Sequence, residues 1–172
     1  MAANCGLSTH NLHTTSRSKS TPSGLDHAPK DPLSRLRVGS ILLVDDSVED
    51  NFIHRRRLQQ AFPSAGIEVC VNGKEALELL EKRRQDRHPP YDLILLDVNM
   101  PVLDGLGFLK AYAKIPVRDH SRYLVLMLAT ALPTEVQALV DTSPSVCAFI
   151  DKPIVAERLL TTLVEADKQI DS

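Results

Sequence analysis

From Ser40 onward, short apolar runs alternate with longer amphipathic segments, and this alternation constrains the fold more than any other feature of the sequence. The runs are rich in leucine and β-branched residues, which is typical of strands. The five predicted strands cover residues 41–44, 67–71, 93–96, 123–129 and 146–150. The five predicted helices cover residues 48–61, 73–85, 103–113, 133–141 and 155–167. Repeated βαβ units with right-handed crossovers are the expected result, so the sequence predicts an α/β fold.

Three of these strands are apolar throughout, as parallel strands covered by helices on both faces should be. The predicted architecture is a doubly wound five-stranded parallel sheet, (βα)5. The second strand is followed by Asn72 and no charged group, which favours an edge position and the flavodoxin-like order 2-1-3-4-5. Cys70 and Cys147 would then lie on opposite outer strands, too far apart for a disulfide. Asn72 and Glu75 also have the spacing of a capping box at the start of the second helix.

The chain is predicted to contain one folded domain, at residues 38–168. Residues 1–37 are rich in Ser, Thr, His, Asn and Pro without an apolar period, which predicts a disordered N-terminal tail. Residues 169–172 are expected to form a C-terminal tail. Since no output domain follows the fifth helix, we expect regulation to act through another protein.

Composition narrows the class of partner. A formal net charge of -2 and a hydrophobic share of 43% give no bias toward nucleic acid or membrane surfaces. The longest apolar stretch, residues 123–132, is far shorter than the roughly 20 residues that a spanning helix needs. We therefore expect a cytoplasmic protein without direct DNA or membrane binding.

Side chains with nucleophilic, metal-binding or hydrogen-bonding groups follow four of the predicted strands. Asp45 and Asp46 end the first strand, Asp97 the third and Thr130 the fourth, and Lys152 follows the fifth. In a parallel sheet these ends share one edge, where ligands bind. Each residue alone has an ordinary explanation as a helix cap, a turn residue, a strand-end hydroxyl or a surface charge. Their joint occurrence indicates a site for phosphoryl transfer.

Three neighbouring carboxylates repel one another, which should raise at least one pKa. A divalent cation removes that conflict, and oxygen-only ligands suit Mg²⁺ (or Mn²⁺). Residue type then assigns the roles. Asp97 attacks phosphorus, Asp45 and Asp46 hold the metal, Lys152 pairs with Asp97 and the phosphoryl group, and Thr130 donates a hydrogen bond to a phosphoryl oxygen.

Four segments around these residues resemble the response-regulator receiver family, to which the chemotaxis response regulator belongs. They are Leu43 to Ser47, Leu95 to Gly105, Ala129 to Ala131 and Phe149 to Pro153. The resemblance covers about residues 39 to 168. It implies a phosphoacceptor signalling protein that catalyses only its own phosphorylation and dephosphorylation. The implied partners are a sensor histidine kinase or a histidine phosphotransfer protein, and an unidentified downstream protein.

The resemblance also implies finer assignments. Asp97 matches the phosphoacceptor, Asp46 the direct metal ligand, and Asp45 the acid that reaches the metal through water. Asn99 matches the residue whose backbone carbonyl ligates the metal. Thr130 and Phe149 match the family's switch pair, and the Lys152–Pro153 bond matches a peptide that is often cis.

Two features need separate interpretation. Leu132 offers no polar side chain to position a hydrolytic water, so we predict that autodephosphorylation is not exceptionally fast. His54 and the run Arg55 to Arg57 are interpreted as a solvated basic face of the first helix, on a side that the family commonly offers to its kinase.

Two other functions are consistent with parts of this pattern. A phosphatase of the haloacid-dehalogenase type also uses an aspartyl phosphate, but it places Asp-x-Asp on an early strand, unlike the adjacent Asp45 and Asp46. A phosphorylation-independent adaptor could retain the same fold. The intact set of site residues argues against an adaptor, and uptake of phosphate would distinguish the two.

Overall fold

The computed structural model describes residues 36–142 and 145–170, and the side chain of residue 142 lies outside that description. Nearly all of the predicted N-terminal tail, at 1–37, and half of the predicted C-terminal tail, at 169–172, therefore fall outside the described residues. These two assignments stay predictions.

Strands and α-helices alternate along the described residues, five of each. The strands are β1 (Ser40–Val44), β2 (Gly66–Cys70), β3 (Leu93–Asp97), β4 (Tyr123–Leu128) and β5 (Ala148–Asp151). The helices are α1 (Val48–Ala61), α2 (Gly73–Gln85), α3 (Gly105–Tyr112), α4 (Thr134–Thr142) and α5 (Ala156–Ile170). A short 3-10 helix (Val117–Asp119) precedes β4.

The sheet has the predicted order, β2-β1-β3-β4-β5, and every neighbouring pair is parallel. Val44 is in register with Leu96, so β1 and β3 end side by side. The residues that follow these two strands are thereby brought to the same edge. Cys70 ends the outer strand β2, Cys147 directly precedes the opposite outer strand β5, and both are free thiols.

Two apolar layers enclose the sheet. On one side, strand residues such as Leu42 and Leu96 pack with α2, α3 and α4, and on the other, residues such as Leu43 and Leu95 pack with α1 and α5. Consecutive residues of a strand point to opposite faces, so each residue of a central strand meets one of these layers. This double coverage explains why the central strands are apolar throughout.

The boundaries differ from the predicted ones in a few places. β4 ends at Leu128, one residue early, and β5 begins at Ala148, two residues late. α3 begins at Gly105 and not at 103, because the Asp104 carboxylate accepts a hydrogen bond from Gly107 N at 2.7 Å and caps the helix. α5 continues to Ile170, three residues beyond its predicted end.

The predicted Asn72 N-cap of α2 is confirmed, whereas the reciprocal bond to Glu75 comes from Val71 N, one residue before the cap. Asn72 Oδ1 accepts a hydrogen bond from Glu75 N at 2.9 Å, and Glu75 Oε2 accepts one from Val71 N at 3.2 Å. None of the helices in the described part of the chain is long and apolar enough to cross a bilayer.

Candidate functional site

Three carboxylates meet at the carboxyl edge of the sheet, as the sequence predicts. Asp45 and Asp46 directly follow β1, and Asp97 is the last residue of β3. One oxygen from each lies within 4.8 Å of the other two. Asp45 and Asp97 are buried, whereas Asp46 is exposed. The acidic pocket is therefore exposed to solvent on the side of Asp46.

Lys152 supplies the positive charge of this pocket. It directly follows β5, and the peptide bond that joins it to Pro153 is cis, as the family resemblance implied. Its ammonium donates to Asp97 Oδ2 at 2.7 Å and lies 2.7 Å from Asp45 Oδ2 and 3.2 Å from Asp50 Oδ2. Three carboxylates thus surround this ammonium, and Asp97 is the one that accepts a hydrogen bond with good geometry.

Burial is the largest single influence on the pKa values of Asp45 and Lys152. It raises the pKa of Asp45, while the hydrogen bonds from Lys152 and Ser47 N oppose the rise, and the charge of Asp97 adds a smaller increase. Burial alone would lower the pKa of Lys152, but its hydrogen bonds to Asp45 and Asp97 raise it overall. The expected rise in a carboxylate pKa therefore occurs, with desolvation contributing more than like-charge repulsion.

The donor set fits a hard divalent cation. All three candidate ligand atoms are carboxylate oxygens, which Mg²⁺ prefers, and they carry more negative charge than one lysine neutralises. Asn99 lies at the same edge, where its backbone N–H donates to Asp97 Oδ1 at 3.1 Å. Its predicted role as a carbonyl ligand stays a prediction.

The predicted switch residues lie at the ends of the neighbouring strands. Thr130 is exposed in the loop two residues beyond β4, and Phe149 on β5 keeps 37% of its surface exposed. In the described part of the chain no hydrogen bond joins Thr130 to the carboxylates. The structure thus assembles Asp45, Asp46, Asp97 and Lys152 and leaves Thr130 and Phe149 outside that set.

The interpretation of His54 as part of a solvated face is wrong. Its side chain is fully buried, and Nδ1 lies 3.7 Å from Asp45 Oδ2, with no hydrogen bond to either ring nitrogen in the described part of the chain. Burial lowers the pKa of this imidazole. His54 belongs to the buried stripe of α1 with Asn51 and Leu58. Their i, i+3, i+7 spacing is the helical period that would have identified it.

Sequence reasoning also missed Asp50. This residue lies in the first turn of α1, where an acidic side chain usually interacts with the helix dipole. Because the helix dipole already explains an acidic residue at this position, the sequence does not indicate the contact of Asp50 with Lys152. The exposed part of the basic run is confined to Arg55 and Arg56, because the Arg57 guanidinium donates to Ile154 O.

Comparison with known proteins supports one family. The model of the response regulator receiver domain matches residues 41–164. The sensory/regulatory protein RpfC of Xanthomonas campestris pv. campestris is 34% identical over 135 residues, 76% of this chain but only 17% of that protein. The two-component response regulator ORR41 of Oryza sativa subsp. japonica is 29% identical over 119 residues, 69% of this chain and 87% of that protein.

The fold agrees with solved structures. A two-component response regulator from Cytophaga hutchinsonii superimposes with a TM-score of 0.66 at 20% identity, over 77% of this chain and 99% of that one. At that identity the likeness supports the fold alone. The acidic pocket of Asp45, Asp46 and Asp97 is typical of phosphoacceptor response regulators. A receiver domain is a phosphoacceptor signalling module and not a classical enzyme. The chain belongs to the response regulator receiver domain family.

Proposed function

We propose that this protein is a response regulator of a two-component system or phosphorelay, which accepts a phosphoryl group on Asp97 from a phosphohistidine. The observation that carries the proposal is the contact of Lys152 with Asp97 inside a three-carboxylate pocket. Lys152 fixes one carboxylate oxygen of Asp97, and the backbone N–H of Asn99 fixes the other. The nucleophile is thus held in one orientation before a donor arrives.

In the proposed reaction a carboxylate oxygen of Asp97 attacks phosphorus, the P–N bond to the donor imidazole breaks, and an aspartyl phosphate forms. Such transfers depend mainly on positioning and on neutralising the charge of the phosphoryl oxygens. Lys152 supplies a cation for that charge. Mg²⁺, held by Asp45, Asp46 and Asp97, would neutralise further charge on the same oxygens.

An exposed apolar surface beside the pocket is suited to a phosphodonor protein. Val48 and Phe52 lie one turn apart at the start of α1, two and six residues after Asp46, with 73% and 71% of their surfaces exposed. Val102, in the loop after β3, is 78% exposed. Exposed apolar residues around a site are typical of an interaction surface. We propose that the histidine kinase or phosphotransfer protein docks here, with Arg55 and Arg56 at its edge.

The output step proposed is a change in the face formed by α4, β5 and α5. Phosphorylation adds charge and acceptor oxygens, which would draw the Thr130 hydroxyl toward the site. Phe149 would then turn inward from its half-exposed position into the space that is vacated. A structure with the phosphoryl mimic beryllofluoride tests this step, since an unchanged Phe149 rotamer would contradict it.

The direct test is uptake of phosphate. We would incubate the protein with acetyl or carbamoyl phosphate and Mg²⁺ and read the intact mass of wild type, Asp97→Asn and Asp141→Asn. Asp141 is an exposed carboxylate on α4 and serves as the matched control. We expect one phosphoryl group on wild type and on Asp141→Asn, and none on Asp97→Asn. Absence of uptake by a wild type that is folded by circular dichroism would favour a phosphorylation-independent adaptor.

A further inference from the structure

Asp50 differs from the other two carboxylates that hold Lys152. Asp45 and Asp97 have side chains that are 0% and 6% exposed, whereas the Asp50 side chain is 39% exposed and reaches Lys152 from α1. Its backbone position is fixed, because Asp50 N donates to the capping Ser47 Oγ at 3.1 Å. Asp50 thus meets the Lys152 ammonium from the solvent side of the pocket.

Transfer of a phosphoryl group to Asp97 changes the negatively charged groups with which Lys152 can pair. Asp97 loses its free carboxylate when it becomes an acyl phosphate, and Asp45 belongs to the carboxylate trio that fits a divalent cation. Asp50 lies outside that trio and keeps its charge through the reaction. It is therefore the carboxylate that continues to compete with the phosphoryl oxygens for the lysine.

We propose that Asp50 is a positioning residue that pairs with Lys152 and thereby slows self-phosphorylation from small anionic donors. The inference rests on the proposed function, since it concerns the same acceptor. This slowing would favour donors that contribute binding energy through a protein surface. Their docking offsets the free energy needed to detach Lys152 from Asp50. Small donors such as acetyl phosphate have no such surface.

The test compares Asp50→Asn with Glu49→Gln. Both changes remove one negative charge from the first turn of α1, but Glu49 makes no ion pair in the described part of the chain. We would measure the rate of phosphorylation by acetyl phosphate with Mg²⁺, from intact mass, and the affinity for beryllofluoride. Asp50→Asn should raise both by about threefold to fivefold, the effect of one half-exposed ion pair. Glu49→Gln should change neither, and Asp50→Glu should restore the wild-type values.

A second comparison separates action through Lys152 from a general charge effect. In a Lys152→Met background, Asp50→Asn should no longer raise the affinity for beryllofluoride. An equal rise in that background, or equal effects of Asp50→Asn and Glu49→Gln, would overturn the inference. Failure of wild type to take up any phosphoryl group would instead refute the proposed function. Urea unfolding confirms that each variant is folded, and Asp50→Ser replaces Asp50→Asn if that variant is not.

Discussion

Replacing Gly105 with alanine would place a methyl group against the backbone of the acceptor strand. A Cβ built at this position lies 2.7 Å from Val98 Cα and 2.9 Å from the Asp97 carbonyl oxygen. Gly105 N also donates to Val98 O at 2.9 Å, so α3 cannot move away from the end of β3 without weakening that hydrogen bond. Backbone atoms cannot rotate aside as a side chain would, and the clash must therefore distort the segment that carries Asp97.

The magnitude follows from two opposing effects. Overpacking of this kind costs about 1–3 kcal/mol. Alanine recovers up to about 1 kcal/mol of helix propensity relative to glycine, and less at the first position of a helix. We expect a net loss of about 1–2 kcal/mol in the free energy of unfolding. Phosphorylation should fall by more than stability explains, because a displacement near 1 Å at a reacting group can cost about 100-fold in rate.

Gly107→Ala is the matched control for this prediction. It lies in the same helix, but its Cβ would meet the end of the Leu103 side chain, at 2.5 Å from Cδ1, which can rotate away. The assay is urea unfolding followed by circular dichroism, with acetyl phosphate labelling of each variant. We expect Gly107→Ala to be close to wild type in both. If Gly105→Ala were as stable as Gly107→Ala and were labelled at the same rate, the steric argument would be refuted.

Two further predictions concern buried polar groups. His54 is buried with a lowered pKa, so the unfolded chain binds a proton that the folded chain does not as pH falls below 6.5. Wild type should therefore lose up to about 1.4 kcal/mol of stability between pH 7.5 and 5.5, and His54→Leu should lose less, as measured by urea unfolding at each pH. Asn72→Ala removes the α2 cap that accepts from Glu75 N and should lower the free energy of unfolding by about 1 kcal/mol. An unchanged urea midpoint for Asn72→Ala would contradict the contribution assigned to that cap.

Much of the fold was predictable because its signals are local. Apolar runs of strand length predict β1, β3 and β4, and their uniform apolarity reflects helices on both faces. The Asn72 cap and its Glu75 partner are readable three residues apart. The acidic pocket was predictable for a related reason, since parallel strands bring their carboxyl ends to one edge regardless of loop length. Knowing the strand ends was therefore enough to group Asp45, Asp46 and Asp97.

The tertiary structure alone decided which side chains touch within that edge. His54 was assigned to solvent because three arginines follow it, yet the face that α1 packs on the sheet places it beside Asp45. Asp50 was overlooked because its partner, Lys152, follows a strand that lies far along the chain. Hydrophobic periodicity and helix capping reflect interactions between residues only a few positions apart in the sequence. A contact between a helix and a distant strand depends on how the helices pack on the whole sheet. The sequence therefore determined which site residues lie at the strand ends. Tertiary packing determined which side chains of the helices contact those residues.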